Sequence, residues 1–576
     1  MNNIQSKVRS RNGLSDNNES SARIHQRTLE FCQQTSLHGW QYLQSEIGIV
    51  RKVIWFFLIF GHYIAAAYLI WMNCDEFNRA TTITTIESTT ASLKDVRFPS
   101  AYVCNLNSVT KSFMEEINLK EKNKSLLLKE FVTGDENDVN LNEDEIKLVE
   151  NISEKIKGLE STSKHKYNYT HIYMYSGQSC SEMLLKLKWR DEHLKYFYDS
   201  FWESTEYGLC CLITPHLDFG NASKTAYDNK TKEEIWRHTP KGFAKNGLQS
   251  GLMMTLDLEH FDHAITWDSI GFKIGLTNPR DKMIMRNKGF DVQPGELAEV
   301  GITPTITYTT EEAIGRFIPE KRNCYNNYEL MPKFFSKSNG YRYSLQNCLV
   351  QSMLDKVITQ CHCILYMNYL DVKKFYPTLD LCSGRKELYC ANLLLSRIGN
   401  QGMNKIIDTQ GNERECLERC EYQQDDFAIS HLKYPHIQTF KNHPDRCLVM
   451  EKLVRICEEP HKKLVFERYY KKDDITCQEL KEYYEARKEN CDQHEEIEDD
   501  DNEKMLKFHY EYASENMAKV AIFLRNPHYT SIKRDVKIPT VEFISNTGGL
   551  LGLWLGLSFL SIFELFYHCL KCMFKI

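Results

Sequence analysis

Two uncharged apolar stretches stand near opposite ends of the chain, and they constrain everything between them. Residues 53–71 read VIWFFLIFGHYIAAAYLIW, nineteen residues without a formal charge. As a helix rising about 1.5 Å per residue they cover roughly 28 Å, one hydrocarbon core. Residues 543–563 form the second stretch, and their uncharged run would cover roughly 31 Å. The first stretch is too long, and too far into the chain, for a signal peptide, since 52 mostly polar residues precede it. A mean hydropathy of −0.48 excludes a many-span transporter. The expected organisation is a large polar body anchored in a membrane at both of its ends.

Charge orients that body. Residues 1–52 hold Lys7, Arg9, Arg11, Arg23, Arg27, Arg51 and Lys52 against four acids, and the last residues add Lys571 and Lys575. Asp75 and Glu76 follow the first stretch directly. The positive-inside bias therefore places both termini in the cytoplasm. Of the net charge of −6, residues 1–52 carry +3, the tail +2 and Glu564 −1, so the block between the spans carries −10. Much of that sits in the acidic run from Glu495 to Glu503, which reads as a solvated loop or, more sharply, as a site drawing cations or protons. The acidic balance shows no basic stripe, which argues against a nucleic-acid partner.

Cysteine usage supports the same orientation independently. The chain has 20 cysteines, and all but Cys32, Cys569 and Cys572 fall between Cys74 and Cys491. That distribution implies an oxidising compartment and a disulfide framework. Zinc fits poorly, because no Cys-x2-Cys knuckle repeats among Cys348, Cys361, Cys363, Cys382, Cys390, Cys416 and Cys420. Five Asn-x-Ser/Thr sites lie in the block, at Asn123, Asn151, Asn168, Asn221 and Asn229, and are expected to be glycosylated.

Within the block, runs rich in β-branched and aromatic residues at 265–276, 298–308 and 520–524 predict strands. Helical spacing is better at 345–359 and 479–488. The fold class expected is α+β with long loops. The Thr/Ser-rich stretch 73–95 reads as a linker or as an extended strand leaving the membrane. No internal repeat stands out. The sequence contains no HExxH, GxSxG, phosphate-loop or dinucleotide fingerprint, so no enzyme is expected.

The second span carries Gly548, Gly549, Gly552 and Gly556 within nine residues. Each would weaken a soluble helix by about 1 kcal/mol relative to Ala. In a membrane they permit close helix approach, or a break wherever backbone lines water or protein. Glu564 follows near the inner end, where an ionisable group needs a pore or a partner. Two spans cannot enclose a water path, so a pore would require several copies.

This segment resembles that of the degenerin/epithelial sodium channel family, which includes the acid-sensing channels and the insect pickpocket channels. Gly556-Leu557-Ser558 matches the family's Gly-x-Ser selectivity filter, and His38-Gly39 the His-Gly pair used in gating. Phe98-Pro99 through Cys104-Asn105 resembles the segment after the first span. The Gly208–Cys211 stretch, the 247–252 Gly-Leu element, Arg322-Asn323-Cys324, Tyr343-Ser344 with Cys348, and Cys361-His362-Cys363 follow in family order. The resemblance implies a trimer with palm, knuckle, finger and thumb regions. It also implies the pairs Cys104–Cys210, Cys324–Cys420, Cys348–Cys416, Cys361–Cys390 and Cys363–Cys382. Ser352 and Arg414 stand where the family has two further cysteines that would pair with each other. Cys180 and Cys211 are left as a lineage-specific pair. The connectivity of Cys447, Cys457, Cys477 and Cys491 stays open, with Cys74 the odd one.

The expected division is a cytoplasmic segment 1–52, a transmembrane helix 53–72, an extracellular domain 73–537, a second transmembrane helix 538–568 and a cytoplasmic tail 569–576. Ser545 matches the position where the family keeps a small residue at the closed gate; its bland reading is an N-cap serine. Asn546 stands where acid-sensing members carry an acid. Glu564 would face the inner pore or pair with Lys571, and Ser558 would otherwise be a packing hydroxyl. The function implied is an amiloride-sensitive, sodium-preferring cation channel subunit of the plasma membrane, in a sensory or epithelial cell. It would lie in the lipid bilayer, alone or mixed with related subunits, with permeant Na+ and no cofactor. The rival readings are a purinergic-receptor-like channel, which would lack both the Gly-x-Ser and His-Gly motifs, and a non-conducting receptor or modulatory subunit.

Overall fold

The computed structural model describes residues 31–33, 35–43, 48–116, 176–190, 192–193, 202–205, 207–214, 245–264, 269–278, 281–326, 329–330, 333–334, 343–365, 372–382, 387, 390–391, 393–394, 405–407, 413–473, 475–493 and 502–573. The five expected glycosylation sites and most of the acidic run lie outside these residues. The chain divides into two compact units, one drawn from 1–84, 310–322 and 534–576, the other from 85–309 and 323–533.

The larger unit is built on an eight-stranded mixed sheet. Its order is Thr82–Ser92, His528–Val536, Glu296–Thr309, Met517–Leu524, Leu252–Asp257, Leu184–Trp189 and Glu192–His193, with Glu421–Lys433 pairing along Glu296–Thr309. The unit boundary falls inside the first and last of these strands in chain order. Glu296–Thr309 alternates, so that Ala298, Val300 and Ile302 are fully buried. Val300 lies across from Ile522 on a parallel neighbour and from Ile429 on an antiparallel one. These residues share a core with Leu252, Met254, Leu256, Val520 and Leu524. A second, five-stranded sheet runs Trp202–Thr205, Gly208–Ile213, Ser100–Asn105, Phe272–Thr277, Phe290–Val292. Its central strand SAYVCN is buried at every position, as a strand covered on both faces must be.

Helices supply the remaining cores. Leu345–Cys361 begins at Ser344, whose hydroxyl accepts the Asn347 amide, and ends at His362 in the left-handed region. Pro444–Glu458, Pro460–Tyr469, Cys477–Glu485 and Glu503–Asn516 surround a cluster that includes Leu453, Phe466, Phe508 and Tyr512. Thr476 and Glu479 form a reciprocal capping box at the third of these helices.

Among the described residues eight disulfides staple this unit. The five pairs implied by the resemblance are bonded. Cys180–Cys211 is bonded as well, and the open connectivity resolves as Cys447–Cys491 and Cys457–Cys477. Among the described residues Cys32 and Cys74 are free thiols. Where the family's further bridge is missing, Ser352 donates to the Lys405 carbonyl at 2.6 Å, next to Ile406, which lies across from Arg414. A hydrogen bond thus ties the helix to the hairpin where a disulfide would have done so.

Several expected elements shift. Of the expected 265–276 strand, residues 265–268 lie outside the described residues, and strand runs from Phe272 to Thr277, after Gly271 at φ +147. The 479–488 helix ends at Glu485 and a separate turn of helix starts at Lys488. In the Thr/Ser-rich stretch, helix persists to Arg79 and a strand follows from Thr82.

Candidate functional site

The smaller unit holds both apolar stretches. The first is one helix, Ile49–Arg79, longer than the apolar run at both ends and long and apolar enough to cross a membrane. The second stretch is not one straight helix. Thr540–Leu555 and Phe559–Met573 are separated at Gly556-Leu557-Ser558, with a bend of 61°. Taken as one broken span, the pair also satisfies the length and composition of a membrane crossing.

The break follows from local chemistry. Gly556 adopts φ +67, a left-handed conformation that glycine takes without Cβ strain and that ends a helix. Its amide still donates to Gly552 O at 3.0 Å, and the Leu557 amide reaches Leu551 O at 3.2 Å. Ser558 then restarts the helix. Its hydroxyl accepts the Ser561 amide at 3.2 Å, while the Ser561 hydroxyl accepts the Ser558 amide at 3.1 Å. This is a reciprocal cap with serine in the place usually held by glutamate.

The segment before the first span docks on this break. The His38 amide donates to Leu555 O at 3.0 Å, satisfying a carbonyl that the helix end leaves open. A Cβ built on Gly556 would lie 2.6 Å from His38 Cδ2 and 2.8 Å from Ser36 O. Gly39, at φ +84, brings backbone against the first helix, where a Cβ would lie 2.8 Å from Ile59 Cγ1. Trp40 Nε1 donates to the Tyr63 hydroxyl at 3.1 Å, and Tyr42 stacks on Trp55 at 4.1 Å. Leu37 is buried. The structure thus brings His38 and Gly39 together with Gly556, Leu557 and Ser558, although more than five hundred residues separate them. Ser36 joins the same cluster, and Glu564 lies 3.4 Å from its hydroxyl.

Ser545 lies eleven residues before Gly556, inside Thr540–Leu555. The helix is entered from Pro539, so Ser545 is not its N-cap. Around it the two span helices meet through Asn73 Nδ2 donating to Thr547 Oγ1 at 2.9 Å and through Phe77 stacked on Phe543 at 4.1 Å.

Sequence reasoning missed the junction where the first apolar helix ends and the second begins. The short helix Glu311–Arg316 belongs to the smaller unit. Arg316 donates to Ile538 O at 2.8 Å and to Phe77 O at 2.6 Å, and its guanidinium lies 3.4 Å from the centre of the Phe77 ring. Glu312 Oε1 accepts both the amide and the hydroxyl of Thr540 at 2.7 Å, which caps the second span helix. Those two donors hold the Glu312 carboxyl below its ordinary value. The only sequence signal was Thr310 followed by Glu311 and Glu312, an ordinary helix start with no hint of its partners.

A chain with a long apolar helix, a second apolar stretch whose helix breaks at Gly-x-Ser, and a His-Gly segment packed on that break has a layout that fits a channel subunit. A family model described as amiloride-sensitive sodium channel matches residues 31–568. The chain belongs to that family, the degenerin/epithelial sodium channels. It is therefore a plasma-membrane cation channel subunit and not an enzyme, and its family assembles as oligomers of related subunits. It is similar to Pickpocket protein 28 of Drosophila melanogaster, 24% identical over 583 residues that cover 95% of this chain and 79% of the relative.

Proposed function

We propose that three copies of this chain, or this chain with related subunits, form an amiloride-sensitive, sodium-preferring channel with both termini in the cytoplasm. The division at residues 52, 72, 537 and 568 is the working topology. Gly556, Leu557 and Ser558 from each copy would ring the permeation path as the filter. His38 and Gly39 would transmit movement of the N-terminal segment to it. Ser545 would sit where the spans converge in the closed state, and Glu564 would face the inner pore. The glycosylated, disulfide-stapled block would lie outside, in a sensory or epithelial cell.

The observation that carries this reading is the broken helix at Gly556-Leu557-Ser558 with His38 seated on it. A break in a span is tolerable only where it lines water or protein, and the exposed residue Ser558 and helix-end carbonyls can replace part of an ion's hydration shell. Gly548, Gly549 and Gly552 add support. A Cβ at any of them would meet nothing within 4 Å among the described residues, so their small size is not required by that packing. They suit close approach by another copy. The test is expression of the full chain, alone and with a related subunit, followed by measurement of amiloride-blocked sodium current. Surface labelling of an N-terminal tag on intact cells would overturn the topology.

A further inference from the structure

Four oxygens run in a chain from the break toward the inner end of the second span. Ser558 Oγ lies 3.0 Å from Ser561 Oγ, Ser561 Oγ 2.6 Å from Ser36 Oγ, and Ser36 Oγ 3.4 Å from Glu564 Oε2. Each serine hydroxyl has one proton to donate and two lone pairs to accept with. Two of those lone pairs are already used. The Ser558 amide donates to Ser561 Oγ, and the Ser561 amide donates to Ser558 Oγ. Ser561 is 1% exposed, so its hydroxyl must find its partners within the protein.

Counting donors fixes the direction of the chain. Ser36 is the donor to Glu564 Oε2, so its proton goes there. Ser36 then accepts from Ser561, its neighbour at 2.6 Å; the Gly556 carbonyl, at 3.5 Å, is the weaker claimant for the Ser561 proton. Having donated once, Ser561 takes the Ser558 proton into its remaining lone pair. Ser558 is left with its proton turned inward and one lone pair unshared. In the opposite direction Ser561 would donate to Ser558, both Ser558 lone pairs would be consumed, and Ser558 would present a proton outward. Only the first order suits a hydroxyl that meets a cation.

We propose that Glu564, acting through Ser36 and Ser561, orients the Ser558 hydroxyl so that it offers a lone pair to the permeant ion. Ser36 and Ser561 are then positioning residues for selectivity, and the N-terminal segment is a structural part of the filter. This rests on reading Gly556-Leu557-Ser558 as the filter.

The experiment uses the full chain, alone and with a related subunit, and reads reversal potentials in sodium against potassium together with surface density. Ser36→Ala and Ser561→Ala should each lower the sodium-to-potassium permeability ratio about fivefold, the effect expected from losing one hydroxyl hydrogen bond. Ser36→Thr keeps a hydroxyl and should preserve the ratio, an outcome a simple packing role at Ser36 would not give. An unshifted ratio in a conducting Ser36→Ala channel overturns the inference and leaves the channel reading standing. A second measurement needs no current. Ser36→Cys with Ser561→Cys, in a chain carrying a protease site at 44–47, should keep the tagged N-terminal fragment attached until reduction. Ser561→Cys alone is the control for Cys32. Absence of that link overturns the contact whatever the currents show. A link formed in a chain that never conducts, even with a partner subunit, overturns the channel reading and this inference with it.

Discussion

At the scale of single residues, Gly556 bears the tightest constraint in the smaller unit. Its positive φ would cost a residue with a Cβ about 1–2 kcal/mol, and the added carbon would collide with His38 and with Ser36 backbone. Gly556→Ala should therefore push the N-terminal segment off the break. The expected result is surface protein with lost or unselective current, and whole-cell recording beside surface biotinylation checks it. Gly61→Ala is the contrast, because a Cβ there meets nothing within 4 Å among the described residues and current should persist. These residues were legible in the sequence because a short motif names them. Their meeting was not, since nothing in local pattern pairs residue 38 with residue 556. Ser36 and Ser561 were illegible for a related reason: a serine says nothing of its partner until the chain brings one to it.

Among the elements, the Glu296–Thr309 and Met517–Leu524 strands were legible as runs of β-branched and aromatic residues and the Leu345–Cys361 helix from its period, whereas the mostly exposed strand Glu421–Lys433 carried no such run. The second span was expected as one helix, since composition gives length but not continuity. The Glu311–Arg316 helix was missed because its work is done by a guanidinium and a carboxylate reaching backbone groups far along the chain. Glu312→Ala removes the cap of the second span helix. It should cost about 1 kcal/mol locally, and raise hydrogen exchange at the first turn of that helix about fivefold relative to the rest of the span. A pH effect belongs to the Glu503–Asn516 helix. His509 is buried beneath Tyr483, near Arg446 and Arg487, and burial first, then those cations, pushes its pKa down to about 3. The unfolded chain binds that proton near pH 6.5 while the folded chain does not. The stability His509 contributes is therefore present above about 6.5 and is lost as pH falls toward about 3, at up to roughly 1.4 kcal/mol per pH unit. His509→Gln should flatten the acid limb of an unfolding curve measured on purified protein across that window. An unchanged slope would show that the ring titrates alike in both states.

For the whole molecule, the decisive quantity is how many chains share one gate. Two spans per chain cannot surround water, so whatever happens at one residue is repeated around the assembly. Ser545 lies inside Thr540–Leu555, in the half of the second span that precedes the break. If three such helices converge when the gate is shut, a small side chain is what lets them approach. Valine there would clash in the closed state and less in the open one, and only that difference moves the equilibrium. Overpacking costs about 1–3 kcal/mol per site. Three sites together approach or exceed the roughly 5.5 kcal/mol needed to carry a population from 1:99 to 99:1. Ser545→Val should give standing, amiloride-blocked current without a stimulus, and sodium overload in cells that express it. Because Pro539 precedes the helix, loss of a serine cap can no longer account for a Ser545 effect. Mixing mutant with wild-type chains separates the stoichiometries. If each valine adds an equal increment, standing current in a trimer should rise in three steps of free energy as the mutant fraction grows. A Ser545→Val chain that reaches the surface and stays silent, alone and beside a related subunit, would remove this position from the gate.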